Sequence, residues 1–198
     1  MSESPAIEDS TVAVARAFER MGVRYYVCGS LASSLHGDPR TTNDADFVAF
    51  LRPDQGERFQ RELGNRFIVD AEVFKRAVEM GRSFNLVDEV ELSKVDVFCV
   101  SADGYQAEAL GRIVELELQR DDPFTKVNVA SAEDTIVAKL KWYRMGGEVS
   151  DRQWTDLQGI LKAQRAGLDL SYVKRWCVHF NVADLLDRLL LSVPEHAG

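Results

Sequence analysis

Apolar residues Val14, Phe18 and Met21 recur at helical spacing behind the cap candidates Asp9 and Ser10, and Gly22 offers a left-handed stop, which predicts an opening helix. "VRYYVCG", Val23 to Gly29, is rich in β-branched and aromatic residues and predicts a strand. It runs directly into Gly29-Ser30, where Ser30 is placed to cap a short helix, "LASSLH", closed by Gly37. After the turn-prone "GDPRTTN", the stretch "DADFVAFL" is apolar on both faces once its aspartates are passed, as in a central strand covered from both sides. Two amphipathic helices follow, one capped by Asp54 and stopped by Gly64, the other carrying Val73, Phe74, Ala77 and Val78 and stopped by Gly81. "RSFNLVDEVELSKVDVFCV" predicts two strands around a polar break, the second being "KVDVFCV". "RIVELEL" and "TKVNVA" alternate in the half-buried manner and flank a hairpin turn, "QRDDPF". From Ser131 onward the patterning is helical only, with caps at Ser131 (with Asp134), Ser150, Asp169 and Asn181.

Strand-and-helix alternation followed by helices alone predicts an α/β (α+β) protein: a mixed β-sheet core with flanking helices over residues 1–130, and a C-terminal helical lobe over 131–198. With 45% hydrophobic and 28% charged residues, the composition is that of a folded globular chain. Its apolar runs fall well short of the roughly 20 residues that span a bilayer, and "MSESPAIEDS" lacks the basic and apolar regions of a signal peptide, so no membrane role and a cytoplasmic location are expected. Cys28, Cys99 and Cys177 are odd in number and widely spaced, which suggests packing residues rather than disulfides or a zinc site. The net charge is 24 − 32 = −8, and the whole excess lies in residues 1–130, with 15 basic and 23 acidic side chains against 9 of each in 131–198. That distribution gives no overall basic face for nucleic acid and leaves only a local groove in the last third.

Asp44 and Asp46 stand two apart in a predicted strand and so share one face. Two ionised carboxylates there repel each other and lose hydration, and a divalent cation answers both costs. Magnesium, for which manganese can substitute, takes one or two carboxylates together with water and substrate phosphate oxygens. Asp96, inside "KVDVFCV", is the natural third ligand if that strand pairs beside the first. Three carboxylates can hold two ions about 3.5–4 Å apart, the arrangement used for in-line nucleotidyl transfer. A bare Asp-x-Asp is as often a turn and strand-end pair. What adds weight here is Gly29-Ser30, where a strand meets a helix start and offers free N–H groups and a hydroxyl to phosphate oxygens.

Taken together, "YYVCGSLASSLHGDPRTTNDADFVAFL" and the later Asp96 resemble the signature of the DNA polymerase beta-like nucleotidyltransferase superfamily. "SAEDTIVAKLKWYRMGGEVSDRQWTDLQGIL" is similar to the later part of small prokaryotic members, including the AbiEii-type toxin nucleotidyltransferases. The resemblance covers roughly residues 20–165 and implies a nucleotidyltransferase core that moves a nucleoside monophosphate from a nucleoside triphosphate to an acceptor hydroxyl. It gives Gly29 and Ser30 to the nucleotide phosphates. Asp44, Asp46 and Asp96 become metal ligands, with Asp96 also helping to deprotonate the acceptor, while Lys139 and Asp156 become the residues of a second, nucleotide-binding motif. Some relatives have two glycines where this chain has Cys28-Gly29.

Arg40 directly precedes Thr41 and Thr42, a position from which its planar fork can reach a phosphate, although a solvated turn arginine reads equally well. His36, before Gly37, reads as a helix-end residue. Arg152 and Asp156 are spaced as a helix-surface ion pair, and Trp142, Trp154 and Trp176 as interhelical core. The acceptor is read as RNA, a tRNA 3′ end as for toxin-type enzymes, because the neutral helical lobe carries Lys139, Lys141, Arg144, Arg152, Lys162, Arg165, Lys174 and Arg175. A protein hydroxyl or a cationic small molecule of the aminoglycoside kind is the alternative, and a nucleotide-binding partner of a cognate antitoxin without turnover is another.

Overall fold

The computed structural model describes residues 6–101, 103–119 and 121–193; Arg120 of the hairpin turn and the first five residues of the N-terminal reading lie outside them. The chain divides into two compact units, Met1–Leu31 with Thr42–Val129, and Ala32–Thr41 with Ala130–Gly198.

The first unit is built on one seven-stranded mixed sheet. Its strands are β1 (Tyr25–Cys28), β2 (Asp44–Ala49), β3 (Phe67–Ile68), β4 (Ser83–Asp88), β5 (Ser93–Cys99), β6 (Val114–Glu117) and β7 (Lys126–Val129), in the order β3-β4-β5-β2-β1-β7-β6. The strand that opens with the two aspartates is therefore the central one. It pairs antiparallel with β1 and parallel with β5, and its later residues Phe47, Val48 and Ala49 are buried, in line with their unbroken apolar run. Strand β5 alternates instead, so that Val95, Val97 and Cys99 face inward while Lys94, Asp96 and Phe98 share the other face. The two-residue β3 is too short to leave a periodic trace in sequence.

Helices α1 (Ala6–Met21), α3 (Gly56–Leu63) and α4 (Ala71–Glu79) supply the apolar cover of one sheet face. Phe18 of α1 stacks on Phe59 of α3 with ring centroids 4.9 Å apart and meets Phe47 of β2 edge-on at 5.8 Å. Phe74 of α4 closes the layer between Phe59 and Phe84 of β4. Burying a side chain of this size contributes about 2–3 kcal/mol, so the aromatic layer is a principal source of this unit's stability. Local readings shift at the margins. Helix α1 begins at Ala6, ahead of Asp9 and Ser10; α3 takes its cap at Gln55 rather than Asp54; and α4 is capped by Asp70, which accepts from the amides of Glu72 and Val73. A further helix, α5 (Gly104–Leu110), lies where no clear period was legible.

Ser10 has a different task from capping. Its Oγ donates to Oδ2 of the fully buried Asp88 at 2.6 Å, Arg66 Nε reaches the same oxygen at 2.7 Å, and the amides of Val90 and Glu91 donate to Oδ1. Burial pushes the Asp88 carboxyl up, but these donors outweigh it and hold it below the usual carboxylate range. The cluster ties α1, the β4–β5 turn and Arg66 together. Asp88→Ala is expected to cost about 3 kcal/mol, because it leaves Arg66 and several donors without their acceptor; urea denaturation at neutral pH checks this, and a loss under about 1 kcal/mol contradicts it.

The second unit is helical: α6 (Ala132–Met145), α7 (Asp151–Gln164), α8 (Leu170–His179) and α9 (Ala183–Ser192). Ser131, Ser150 and Asp169 cap the first three through bonds to the amides of Asp134, Gln153 and Tyr172. The fourth is capped at Val182, while Asn181 adopts a left-handed φ of 60°. Helix α2 (Gly29–His36) is shared between the two chain divisions. Gly37 is less a stop signal than a packing requirement, since a Cβ there would lie 2.7 Å from the backbone nitrogen of Ile160 in α7. Trp176 is buried and Trp154 packs against Tyr143, whereas Trp142 is half-exposed and so is not a core residue.

Candidate active site

Strand register assembles one row of side chains across one face of the first unit's sheet. Cys28 of β1 stands opposite Asp46 of β2, Asp46 opposite Asp96 of β5, and Asp96 opposite Asn85 of β4. Neighbouring strands lie about 4.7–4.9 Å apart, so the registered Asp46 and Asp96 are side by side. Asp44, two residues before Asp46, lies on the same face opposite Lys94. The three aspartates singled out in sequence therefore share one surface, with Asp44 exposed and the other two half-buried.

Gly29 abuts this row. It adopts φ 64°, and a Cβ built on it would fall 1.9 Å from Asp46 Oδ2. Only glycine accommodates both that backbone and that approach, so the strand-to-helix turn lies against the Asp46 carboxylate. Helix α2 already includes Gly29, which places Ser30 within its first turn instead of at the N-cap position expected for it.

Lys94 was not singled out in sequence, although it lies two residues before Asp96 and so on the same strand face. Its Nζ donates to Asp96 Oδ2 at 3.0 Å and lies 2.9 Å from Oδ1. The hydrogen bond to Asp96, with the fields of Asp96, Asp44 and Asp46, raises the lysine pKa above its ordinary value. Asp96 Oδ1 is buried and receives no hydrogen bond of acceptable geometry despite the nearby ammonium. Asn85 was also missed, because its place in the row depends on β4–β5 register.

Among the described residues, no group of three or more His, Cys, Asp or Glu side chains is disposed to hold a metal ion. The three-carboxylate ligand set expected from sequence is thus not gathered: Asp96 turns to Lys94, and Asp44 sits one row away. The Asp46–Asp96 pair nevertheless fits magnesium or manganese. It offers hard oxygen donors on adjacent strands, one of them a buried oxygen lacking a hydrogen bond, and magnesium needs only one or two carboxylates.

Arg40, Lys139 and Asp156 come together in the second unit. Arg40 grips Asp156 with Nε to Oδ1 at 2.8 Å and Nη2 to Oδ2 at 2.9 Å, and Lys139 Nζ donates to Oδ2 at 2.7 Å. The side chains of Asp156 and Lys139 are only 7% and 9% exposed. Burial pushes the Asp156 carboxyl up, but the two cations outweigh it and hold it below its usual range, while the bond to Asp156 raises Arg40 further. The planar fork of Arg40, read as a phosphate grip, is directed at this carboxylate. Arg152 donates to the Thr41 carbonyl at 3.4 Å, whereas Asp156 is met by Arg40 and Lys139. His36 is buried, bonded through Nε2 to the Ala130 carbonyl at 2.7 Å and lowered in pKa by burial, as suits a structural histidine.

Three solved structures align with most of the chain. An antigenic nucleotidyltransferase-like protein from Paracoccidioides brasiliensis shares 16% identity over 94% of this chain and 93% of its own, with a TM-score of 0.55. The antibiotic-resistance factor ANT(2'')-Ia shares 14% identity over 91% and 96%, with a TM-score of 0.53. The lincosamide antibiotic adenylyltransferase LnuA, bound to lincomycin, shares 14% over 77% and 95%, with a TM-score of 0.50. The fold is that of the nucleotidyltransferases. At such low identity it is the fold alone that is shared, and no family model and no curated sequence matches the chain. Within this nucleotidyltransferase fold, the carboxylates lie on the adjacent strands β2 and β5, and β1, the other neighbour of β2, leads into the Gly29 turn. Among the described residues, no helix is long and apolar enough to cross a membrane.

Proposed function

We propose that the protein is a metal-dependent nucleotidyltransferase that joins a nucleoside monophosphate to an acceptor hydroxyl. The observation that supports this reading is the close approach of Gly29 to Asp46 beside the registered Asp46–Asp96 pair, because a glycine turn at a helix start can offer N–H groups to a phosphate there. Asp46 and Asp96, with Asp44 at the flank, would hold magnesium or manganese, which would supply positive charge against the triphosphate. Gly29 and Ser30 present the helix start to phosphate oxygens. Asp96 accepts the proton of the acceptor hydroxyl; the new bond joins that oxygen to the α-phosphorus as the bond to the β-phosphate breaks and pyrophosphate leaves. Arg40 and Lys139, held by Asp156, form a cluster with one net positive charge, and the reading assigns it to the nucleotide.

The acceptor follows from charge. On the face that carries the carboxylates, strands β1, β2, β4 and β5 hold Lys94 as their single basic residue, against Asp44, Asp46 and Asp96. In the helical unit, Arg144 pairs with Glu148 and Asp184, Arg165 bonds to the Val193 carbonyl, and Lys141 and Arg175 lie over aromatic rings. An acidic sheet face, together with a helical unit whose cations are largely engaged, favours a small cationic acceptor, in keeping with the lincosamide adenylyltransferase and the antibiotic-resistance factor that share the fold. RNA is the second reading, supported by Lys162 and Lys174, which are both exposed on the neutral lobe.

The test is incorporation of labelled nucleotide from each of the four triphosphates into a panel of aminoglycosides and lincosamides and into total tRNA, at low and moderate salt. Labelling of the small cationic acceptors is the expected result. Labelling of tRNA alone, weakening as salt rises, replaces that acceptor class with RNA; labelling of nothing, by a folded protein, contradicts the enzyme reading.

A further inference from the structure

Lys94 occupies an unusual position for a basic residue. Its ammonium lies within 3.0 Å of both Asp96 oxygens, on the face that carries Asp44 and Asp46, and its nearest strand partners there are Val87 of β4 and Asp44 of β2. It is the sole basic side chain in the four strands that build this face. A lysine two residues from an aspartate on an exposed strand ordinarily makes a weak surface pair. Here one of the two oxygens it approaches is buried, and its four-carbon stem can swing away because the side chain is 47% exposed. An ammonium and a divalent cation cannot share the same carboxylate without repulsion.

We infer that Lys94 is a tethered cation that holds the Asp96 carboxylate in the absence of metal and must be displaced when metal binds, so that it sets the protein's metal affinity. This rests on the nucleotidyltransferase reading of the Asp46–Asp96 pair. In this arrangement the charge of Asp96 is already answered by an internal partner. Lys94 acts through Asp96 and is a positioning residue. Once displaced, its ammonium remains on the same face, next to Asp44 in register.

The experiment is binding of manganese alone, followed by loss of the free-ion paramagnetic resonance signal, for the wild type, Lys94→Met, Lys94→Arg and Asp46→Asn, with thermal melts confirming the fold. Lys94→Met is expected to bind manganese about tenfold more tightly, since a competing unit charge at contact distance is removed and its effect is softened by solvent. Lys94→Arg, which keeps the charge, should remain near the wild type, and Asp46→Asn should lose the site. If Lys94→Met binds no more tightly than the wild type while Asp46→Asn loses binding, the displacement idea is overturned and the functional reading stands. If Asp46→Asn binds as the wild type does, the ion lies elsewhere and both fail.

Discussion

Replacing Asp46 with asparagine is expected to lower nucleotide transfer by about 10³-fold or more while leaving the fold intact. Asp46 is half-buried on the sheet face away from the aromatic core, in register with Asp96 and against the Gly29 turn, and the proposed function gives it to the metal. Asparagine keeps the shape and removes the charge. Positive charge held beside the reacting phosphate is worth several kcal/mol in the transition state, and each 1.4 kcal/mol is about tenfold in rate. The measurement is labelled-nucleotide incorporation into the acceptor found active with the wild type, alongside thermal melts. Activity within tenfold of the wild type, in a variant that melts normally, removes Asp46 from the chemistry.

The second large effect is on stability. Asp156→Ala removes the carboxylate that both Arg40 and Lys139 hold, and Lys139 is 9% exposed, so a nearly buried ammonium loses the acceptor at 2.7 Å. Breaking a buried pair by removing one partner costs about 3–5 kcal/mol, and the partial exposure of Arg40 places this case near the lower end. The pH dependence follows the same carboxylate. Its folded pKa lies below its unfolded value, so its contribution is fully present above the unfolded value of about 4 and is lost as pH falls from there through the lower folded value. Urea midpoints should therefore fall on acidification more steeply for the wild type than for Asp156→Ala, with the gap between them largest near neutrality. A variant within about 1 kcal/mol of the wild type at pH 7 shows that the cluster is solvated and contributes little.

The match between reading and structure follows the range of the interactions involved. The central place of β2 was legible because "DFVAFL" is apolar on both faces, and only a strand covered on both sides tolerates that. The caps at Ser131, Ser150 and Asp169 were legible because a side-chain oxygen three residues before a free amide acts locally. The true cap of α3 and the start of α1 were not. Ser10 is drawn into the Asp88 cluster 78 residues away, a contact that no local pattern encodes. Strand β3 escaped notice because two residues carry no period.

The sequence by itself determined which chemistry this protein can carry: two aspartates on one strand face, a third on a later strand, and a glycine followed by serine at a helix start. Alternation within a strand is a property of consecutive residues, so Asp44 with Asp46, and Lys94 with Asp96, were bound to share faces in any fold that kept those strands. Which of these groups meet was left to tertiary structure. Pairing of β2 with β5 put Asp46, rather than Asp44, beside Asp96; a left-handed turn brought Gly29 onto the Asp46 carboxylate; and chain reversal carried Arg40 across 116 residues to Asp156. Register and long-range ion pairing depend on how whole elements pack, because the free energy that selects them is the burial of the entire sheet and not the preference of any one segment.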